Sequence, residues 1–316
     1  MTVREPELSL EDRAVAGLVS EWAGSDRAEQ LTTWNSRTAH LTLWDAHGAR
    51  LLVKQVESPK AAERLHETLE AFADVAPPGV RRLRPLGWAR RPPCVCMPYI
   101  AAPSLATLVN RQWLRWDAPG LEVVVERVGA ALAAFHSLTR TADGSARAEA
   151  DQALSLVLEH VAPEVHDSLY ETAKLSLPVR VYDDINPSHI LVQTDVITLI
   201  DVPAGAKFTH PHRDLAWFAD KLLMTLLRAV PRVPASLHLA GFVELRDRLL
   251  RSYFEATGSP LTAGDRDLVA AFQARYLSRR ERSLRRSFVA SSFFRVLRLR
   301  TSRRLRLTRY VTPRSA

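Results

Sequence analysis

Two aspartates, Asp184 and Asp201, stand where the chain leaves short apolar segments. Asp184 lies in a polar loop with a turn proline, between the apolar segments 179–182 and 190–192. Asp201 directly follows an apolar strand predicted at 196–200. Carboxylates in such positions can accept a proton from a hydroxyl or hold a divalent cation. A lone Asp after a strand is more often a turn or cap residue, so the chemistry depends on further features.

Hydrophobic periodicity predicts the elements that must position these aspartates. The predicted strands are 31–44, 49–56, 80–88, 94–100 and 196–200, with a hairpin turn at 45–48. The predicted helices are 8–23, 60–74, 122–137, 151–175, 215–229, 238–256 and 265–284, with a polar linker at 139–150. Strands therefore dominate the first third of the chain, and helices dominate the rest.

The loop resembles the catalytic loop of the protein-kinase-like fold, in which an Asp is followed five residues later by a metal-binding side chain. Segment 211–216, with the sequence PHRDLA, is similar to the D-P-x-x-D-L-A element of the aminoglycoside phosphotransferases. The resemblance implies that Asp184 accepts the proton of a substrate hydroxyl. It also implies that Asp201 and His189 hold Mg²⁺ and that Asp214 braces the loop.

Several positions depart from the kinase pattern. Tyr182 replaces the first His of the loop, Val202-Pro203 replaces Phe-Gly, and the candidate phosphate turn at 32–37 has no glycine. His189 stands where most kinases have Asn, but D-x-x-x-x-H resembles the lipopolysaccharide sugar kinases of the Kdo and heptose type. These departures favour an alternative, a pseudokinase that binds nucleotide or acts as a scaffold.

The role of His189 has three interpretations. As a metal ligand it would offer an imidazole nitrogen, which suits Mn²⁺ better than Mg²⁺. It could instead form a hydrogen bond to Asp184 or to a phosphate, or it could be a packed loop residue.

The first third of the chain supplies nucleotide-binding candidates by the same resemblance. Lys54 ends the apolar run 51–53 and corresponds to the lysine that contacts the phosphates, although such a lysine is often only an edge residue. The helix predicted at 60–74 carries Glu63, Glu67 and Glu70. One of them is expected to hold Lys54, and Glu67 fits the family spacing best. Met97 and Tyr99 are expected to hold adenine through backbone bonds.

The resemblance implies an α+β, bilobal protein-kinase-like fold with a small β-rich N-lobe and a larger helical C-lobe. The expected boundaries are an N-terminal helix at 1–27, the N-lobe at 28–100, the C-lobe at 101–287 and an Arg-rich tail at 288–316. His136, which ends the helix at 122–137, is expected to be structural.

Composition narrows the protein class. The 316 residues are 47% hydrophobic and 25% charged, as in globular proteins. No apolar run of about 18 residues predicts a membrane span, and the N-terminus lacks the apolar core of a signal peptide. The cysteines, Cys94 and Cys96, are too few for a zinc site. These features predict a cytoplasmic protein.

Basic charge is concentrated near the C-terminus. Residues 275–316 carry a net charge of +13, whereas the whole chain carries +8. Segment 285–309 is predicted to form a basic amphipathic helix. It could lie on anionic lipids at the inner face of the membrane or, less favourably, on nucleic acid. It could equally be a C-lobe helix with a solvated Arg face.

The sequence therefore predicts an ATP-dependent phosphotransferase that uses Mg²⁺ or Mn²⁺. The expected acceptor is a hydroxyl of a small molecule, a sugar or a glycolipid. The sequence does not name that acceptor.

Overall fold

The structure is a computed structural model that describes residues 10–35, 40–111, 119–182, 184–194, 196–200, 207–228 and 235–284. The chain divides into two compact units. The first comprises 1–75, 82–101 and 202–204; the second comprises 76–81, 102–201 and 205–316. The predicted metal ligand Asp201 and the predicted Arg-rich tail lie outside the described residues.

The first unit is built on a five-stranded antiparallel sheet in the order β1-β2-β3-β5-β4. Its strands are β1 (Glu29–Asn35), β2 (His40–Ala46), β3 (Ala49–Gln55), β4 (Gly87–Arg90) and β5 (Pro93–Pro98). The hairpin predicted at 45–48 is confirmed, since Asp45 Oδ1 accepts the Gly48 N–H at 3.0 Å. Gly48 has φ +83°, a left-handed conformation that glycine adopts at low cost.

Two helices accompany this sheet, α1 (Leu10–Ala23) and α2 (Pro59–Val75). Val15 and Val19 of α1 pack in one core with Trp44 and Val53 of the sheet. Helix α2 begins after Ser58, whose Oγ accepts the Ala61 N–H at 3.2 Å. A serine cap followed by proline is a common helix start.

The strand predicted at 80–88 is wrong over most of its length. Only β4, from Gly87, joins the sheet, while Val80 makes an isolated bridge with Ile197 in the second unit. Pro85 has no N–H to donate to a ladder, which prevents a regular strand through this segment.

The second unit is mainly helical. Its helices are α3 (Leu105–Arg111), α4 (Pro119–Thr139), α5 (Gly144–Leu158), α6 (His166–Leu175), α7 (His212–Arg228), α8 (Ala235–Ala256) and α9 (Ala263–Leu284). Helix α4 packs along α8, and α7 packs along α9. Residues 214–220 of α7 are almost all buried, so this helix lies inside the unit.

The polar linker predicted at 139–150 is also wrong from Gly144 onward. Asp143 caps α5, because its Oδ1 accepts the N–H groups of Ser145 at 2.7 Å and Ala146 at 3.0 Å. The helix predicted at 151–175 is in turn divided, because a 3₁₀ turn at Pro163–Val165 separates α5 from α6.

Four short strands complete the second unit. They are β6 (Val179–Arg180), β7 (Ile190–Gln193), β8 (Val196–Leu199) and β9 (Phe208–Thr209). Strand β6 pairs with β9, and β7 pairs with β8, both antiparallel. Within the described ranges, no helix is both long enough and apolar enough to span a membrane.

Candidate active site

The loop between β6 and β7 has a defined backbone. Asp184 N donates to Tyr182 O at 2.7 Å, and His189 N donates to Asn186 O at 2.9 Å. A 3₁₀ turn at Pro187–His189 begins at Asn186, whose Oδ1 accepts the Ser188 N–H at 2.9 Å. The motif Asn-Pro-Ser thus acts as a cap, because Pro187 disfavours helical geometry in the residue before it.

Asp184 combines an exposed carboxylate with a restrained backbone. Its side chain is 57% exposed. Its carbonyl oxygen accepts from His189 Nδ1 at 2.9 Å and from Asn186 Nδ2 at 3.1 Å. Two donors on one carbonyl fix the peptide that carries the carboxylate while leaving the carboxylate accessible to solvent.

His189 Nδ1 lies 2.9 Å from the Asp184 carbonyl oxygen, and Asn186 Nδ2 lies 3.1 Å from the same Nδ1 and 3.4 Å from Nε2. Because the carbonyl can only accept, its shorter contact favours the tautomer that carries the hydrogen on Nδ1, and Nε2 can then accept from Asn186. Metal-binding histidines commonly donate their second N–H to a carbonyl in this way. Nδ1 also lies 4.0 Å from Asp184 Oδ2. Of the three interpretations of His189, the structure shows contacts to Asp184, and the metal-ligand interpretation stays a prediction.

Asp214 lies in the first turn of α7 and is 1% exposed. Its Oδ2 accepts the backbone N–H of Tyr182 at 2.6 Å and lies 3.1 Å from His136 Nε2. A buried carboxylate with two donors avoids the large cost of an unpaired buried charge. Through Tyr182, it holds the strand end from which the loop begins.

The contacts of Asp214 extend to two residues far apart in sequence. His136, at the end of α4, is fully buried, and its Nδ1 lies 2.9 Å from the hydroxyl of Tyr253 on α8. The ring of Tyr182, 1% exposed, packs against Phe135 with centroids 5.0 Å apart. No local pattern distinguishes Tyr253 from other core aromatics, so sequence reasoning missed it.

Lys54 and Glu67 both lie in the first unit. Lys54 is half-buried on β3, opposite Leu41 of β2 and Val95 of β5. Glu67 is exposed, and the helical repeat places it opposite the buried side of α2, which includes Leu65 and Leu69. The pairing of Glu67 with Lys54 stays a prediction.

Of the predicted adenine-binding residues, Met97 lies near the end of β5 and Tyr99 directly follows the strand. Met97 is 2% exposed and pairs with Leu52 of β3. Tyr99 N donates to Arg50 O at 2.9 Å. Because this N–H is already used within the sheet, any backbone contact of Tyr99 to a ligand would use its carbonyl oxygen.

The structure thus brings together two groups of residues in the second unit. Asp184, Asn186 and His189 form the exposed loop, while Asp214 and Tyr182 form part of its buried support. Within the described ranges, no cluster of three or more His, Cys, Asp or Glu side chains could hold a metal ion by itself. A metal here would need ligands beyond these, such as Asp201 or phosphate oxygens.

An antiparallel sheet unit followed by a helical unit, with an exposed Asp on a braced loop between short strands, defines a kinase-like phosphotransferase fold. The sequence model of the phosphotransferase enzyme family (APH) matches residues 28–259, which is well over half of the sequence. The chain therefore belongs to that family. A search of curated proteins found no match.

Solved structures share this fold at low sequence identity. A glucosamine kinase in complex with glucosamine, ADP and inorganic phosphate is 15% identical with a TM-score of 0.57, over 92% of this chain and 82% of that chain. A macrolide 2'-phosphotransferase type I is also 15% identical, with a TM-score of 0.50 over 93% of this chain and 97% of that chain. The fold class expected from the sequence is therefore confirmed.

Proposed function

We propose that the protein is an ATP-dependent phosphotransferase that moves the γ-phosphate to a hydroxyl of a small molecule, a sugar or a glycolipid. The observation that carries the proposal is Asp184. In a member of a phosphotransferase family, an exposed carboxylate lies on a loop that is fixed by its own carbonyl and by the buried Asp214. This is the arrangement required of a group that orients a hydroxyl, because phosphoryl transfer depends mainly on positioning and electrostatics.

Each candidate residue has one role in this proposal. Asp184 accepts the proton of the acceptor hydroxyl as the oxygen attacks phosphorus, and the bond from phosphorus to the β-phosphate oxygen breaks. Lys54 contacts the nucleotide phosphates, with Glu67 as its proposed partner. Met97 and Tyr99 hold the adenine side of the nucleotide, and Asp214 supports the loop.

The metal ligands are proposed to be His189 and Asp201. The contact from His189 Nδ1 to the Asp184 carbonyl supports the tautomer in which Nε2 carries the lone pair. A metal at Nε2 would replace the 3.4 Å contact of Nε2 with Asn186 Nδ2. A bound divalent cation would neutralise phosphate charge. A nitrogen ligand favours Mn²⁺ relative to Mg²⁺, which prefers oxygen.

The identity of the acceptor is tested by transfer of labelled phosphate. The protein is incubated with γ-labelled ATP and either Mg²⁺ or Mn²⁺, against separate pools of sugars, glycolipids, amino sugars and peptides. Glucosamine is the first amino sugar to test as an acceptor, because a structural neighbour is a glucosamine kinase. We expect label on a small-molecule or glycolipid acceptor and not on peptides.

Two variants make that assay specific. Asp184→Asn removes the proton acceptor but no phosphate contact, so transfer should fall by about 10²–10⁴-fold while nucleotide affinity stays unchanged. Asp167→Asn alters another exposed Asp of the second unit and should behave like wild type. Nucleotide binding without transfer in any pool, and with no effect of Asp184→Asn, would instead support the pseudokinase alternative.

A further inference from the structure

Tyr253 is remote in sequence from the catalytic loop but connected to it by three consecutive hydrogen bonds. Its hydroxyl lies 2.9 Å from His136 Nδ1, His136 Nε2 lies 3.1 Å from Asp214 Oδ2, and Asp214 Oδ2 accepts the Tyr182 N–H at 2.6 Å. These four residues form one hydrogen-bonded chain from α8 to the start of the Asp184 loop. Each member is at most 2% exposed.

The direction of the hydrogen bonds follows from the donor inventory. The Asp214 carboxylate can only accept, so His136 Nε2 carries a hydrogen and, in the neutral ring, Nδ1 carries the lone pair. The hydroxyl of Tyr253 is then the donor to Nδ1. Burial raises the pKa of the Tyr253 phenol, and the Arg140 guanidinium opposes this only partly, so the hydroxyl stays protonated and able to donate.

The packing around Tyr253 explains how the contact is kept. Gly129 on α4 faces the backbone of α8, and a Cβ at Gly129 would lie 2.5 Å from Leu249 O and 3.1 Å from Tyr253 N. The close approach of the two helices therefore places the Tyr253 ring against His136, at a centroid distance of 5.6 Å.

We infer that Tyr253 is a positioning residue for phosphoryl transfer: its hydroxyl fixes the tautomer and orientation of His136, and so holds Asp214 on the Tyr182 N–H at the start of the Asp184 loop. This inference rests on the proposed function. Without the hydroxyl, the buried Nδ1 lone pair has no donor, the ring is free to reorient, and Asp214 loses its fixed partner.

The test compares Tyr253→Phe with Tyr170→Phe in the full-length protein. Both remove a phenolic hydroxyl, but Tyr170 is on α6, is 38% exposed and packs on Lys174. Amide hydrogen exchange at Tyr182 should be at least about tenfold faster in Tyr253→Phe and unchanged in Tyr170→Phe. Equal exchange in Tyr253→Phe and wild type would overturn the inference.

A kinetic measurement separates positioning from simple loss of stability. With the acceptor found by the transfer assay, kcat of Tyr253→Phe should fall about tenfold while KM for ATP stays within about twofold. His136→Gln should lower kcat too, and adding Tyr253→Phe to it should have little further effect, because the hydroxyl acts through His136. A fully additive double variant, or an unchanged kcat in Tyr253→Phe, would contradict the inference.

Failure of the proposed function gives a different result. If the wild-type protein transfers no phosphate to any acceptor, the proposed function is wrong, whereas the exchange measurement still decides whether Tyr253 holds the loop.

Discussion

The carboxylate of Asp214 accepts the backbone N–H of Tyr182 at 2.6 Å, which attaches helix α7 to the strand end where the Asp184 loop begins. The two residues are 32 positions apart, so the contact joins two segments that the chain brings together only on folding. Because Tyr182 N and His136 Nε2 both depend on this one carboxylate, its removal leaves two buried donors without an acceptor.

We therefore expect Asp214→Ala to destabilise the protein by about 2–5 kcal/mol, since each unsatisfied buried polar group costs about 1–3 kcal/mol. Both donors use Oδ2, so the amide oxygen of Asp214→Asn can still accept from Tyr182 N and His136 Nε2 at that position. It carries no negative charge, so these hydrogen bonds are weaker and an intermediate loss is expected. Urea unfolding of the three proteins measures both. Equal stability of Asp214→Ala and wild type would show that the contact contributes nothing to folding.

His189 should set the metal preference of the enzyme. In the wild type, activity with Mn²⁺ relative to Mg²⁺ should exceed that of His189→Asn by roughly tenfold, because Asn supplies an oxygen in place of a nitrogen. The measurement is the ratio of kcat/KM values with the two metals. His47→Asn, which changes an exposed histidine of the β2–β3 turn, should keep the wild-type ratio. An unchanged ratio in His189→Asn would remove His189 from the metal site.

The sequence supplied candidates for the site but not the contacts that support them. Asp184, His189 and Asp214 are candidates because they lie in short motifs with fixed spacing, and their roles stay predictions. Local chemistry such as the Asn-Pro turn determines that spacing. The contact between Tyr253 and His136 spans 117 positions and depends on how α8 packs on α4. No local pattern carries such information.

Errors at the level of elements have similar causes. The helical start at Gly144 was missed because Asp143 and Ser145 read equally well as a polar linker, and only the capping geometry distinguishes them. Strand β9 has two residues and exists because β6 is available to pair with it. Pairing of that kind is set by tertiary structure and not by propensity.

Gly129 gives a direct test of the α4–α8 packing. Gly129→Ala should be destabilising by about 2–3 kcal/mol, because the new Cβ would lie 2.5 Å from the backbone oxygen of Leu249, and overpacking of this kind displaces backbone. Gly17→Ala lies on the exposed side of α1, with no atom within 4 Å of the added Cβ. It should instead gain up to about 1 kcal/mol from helix propensity. Thermal unfolding measures both, and a stabilised Gly129→Ala would show that the helices are farther apart.

A buried histidine, His210, should make stability depend on pH. Burial, together with the charges of His212 and Arg147, lowers the pKa of His210 from 6.5 to about 3. The carboxylate of Asp151, with Oδ1 3.5 Å from His210 Nε2, favours the protonated ring, but it is partly exposed and burial outweighs it. Ser176 Oγ lies 3.2 Å from Nδ1, which suits a neutral ring that forms a hydrogen bond.

The sign of the pH effect follows from this lowered pKa. Between about pH 6.5 and pH 3 the unfolded chain binds a proton at His210 and the folded protein does not, so stability falls as pH falls, by up to about 1.4 kcal/mol per pH unit. The glutamine in His210→Gln cannot titrate. The slope of the unfolding free energy against pH should therefore decrease by about 1.4 kcal/mol per pH unit between pH 4 and 6, which corresponds to one bound proton. The control His47→Asn, at a turn residue with φ +53° that Asn tolerates, should keep the wild-type slope. Urea unfolding at several pH values measures these slopes, and a slope that becomes steeper in His210→Gln would mean that Asp151 pairs with a protonated His210 in the folded protein.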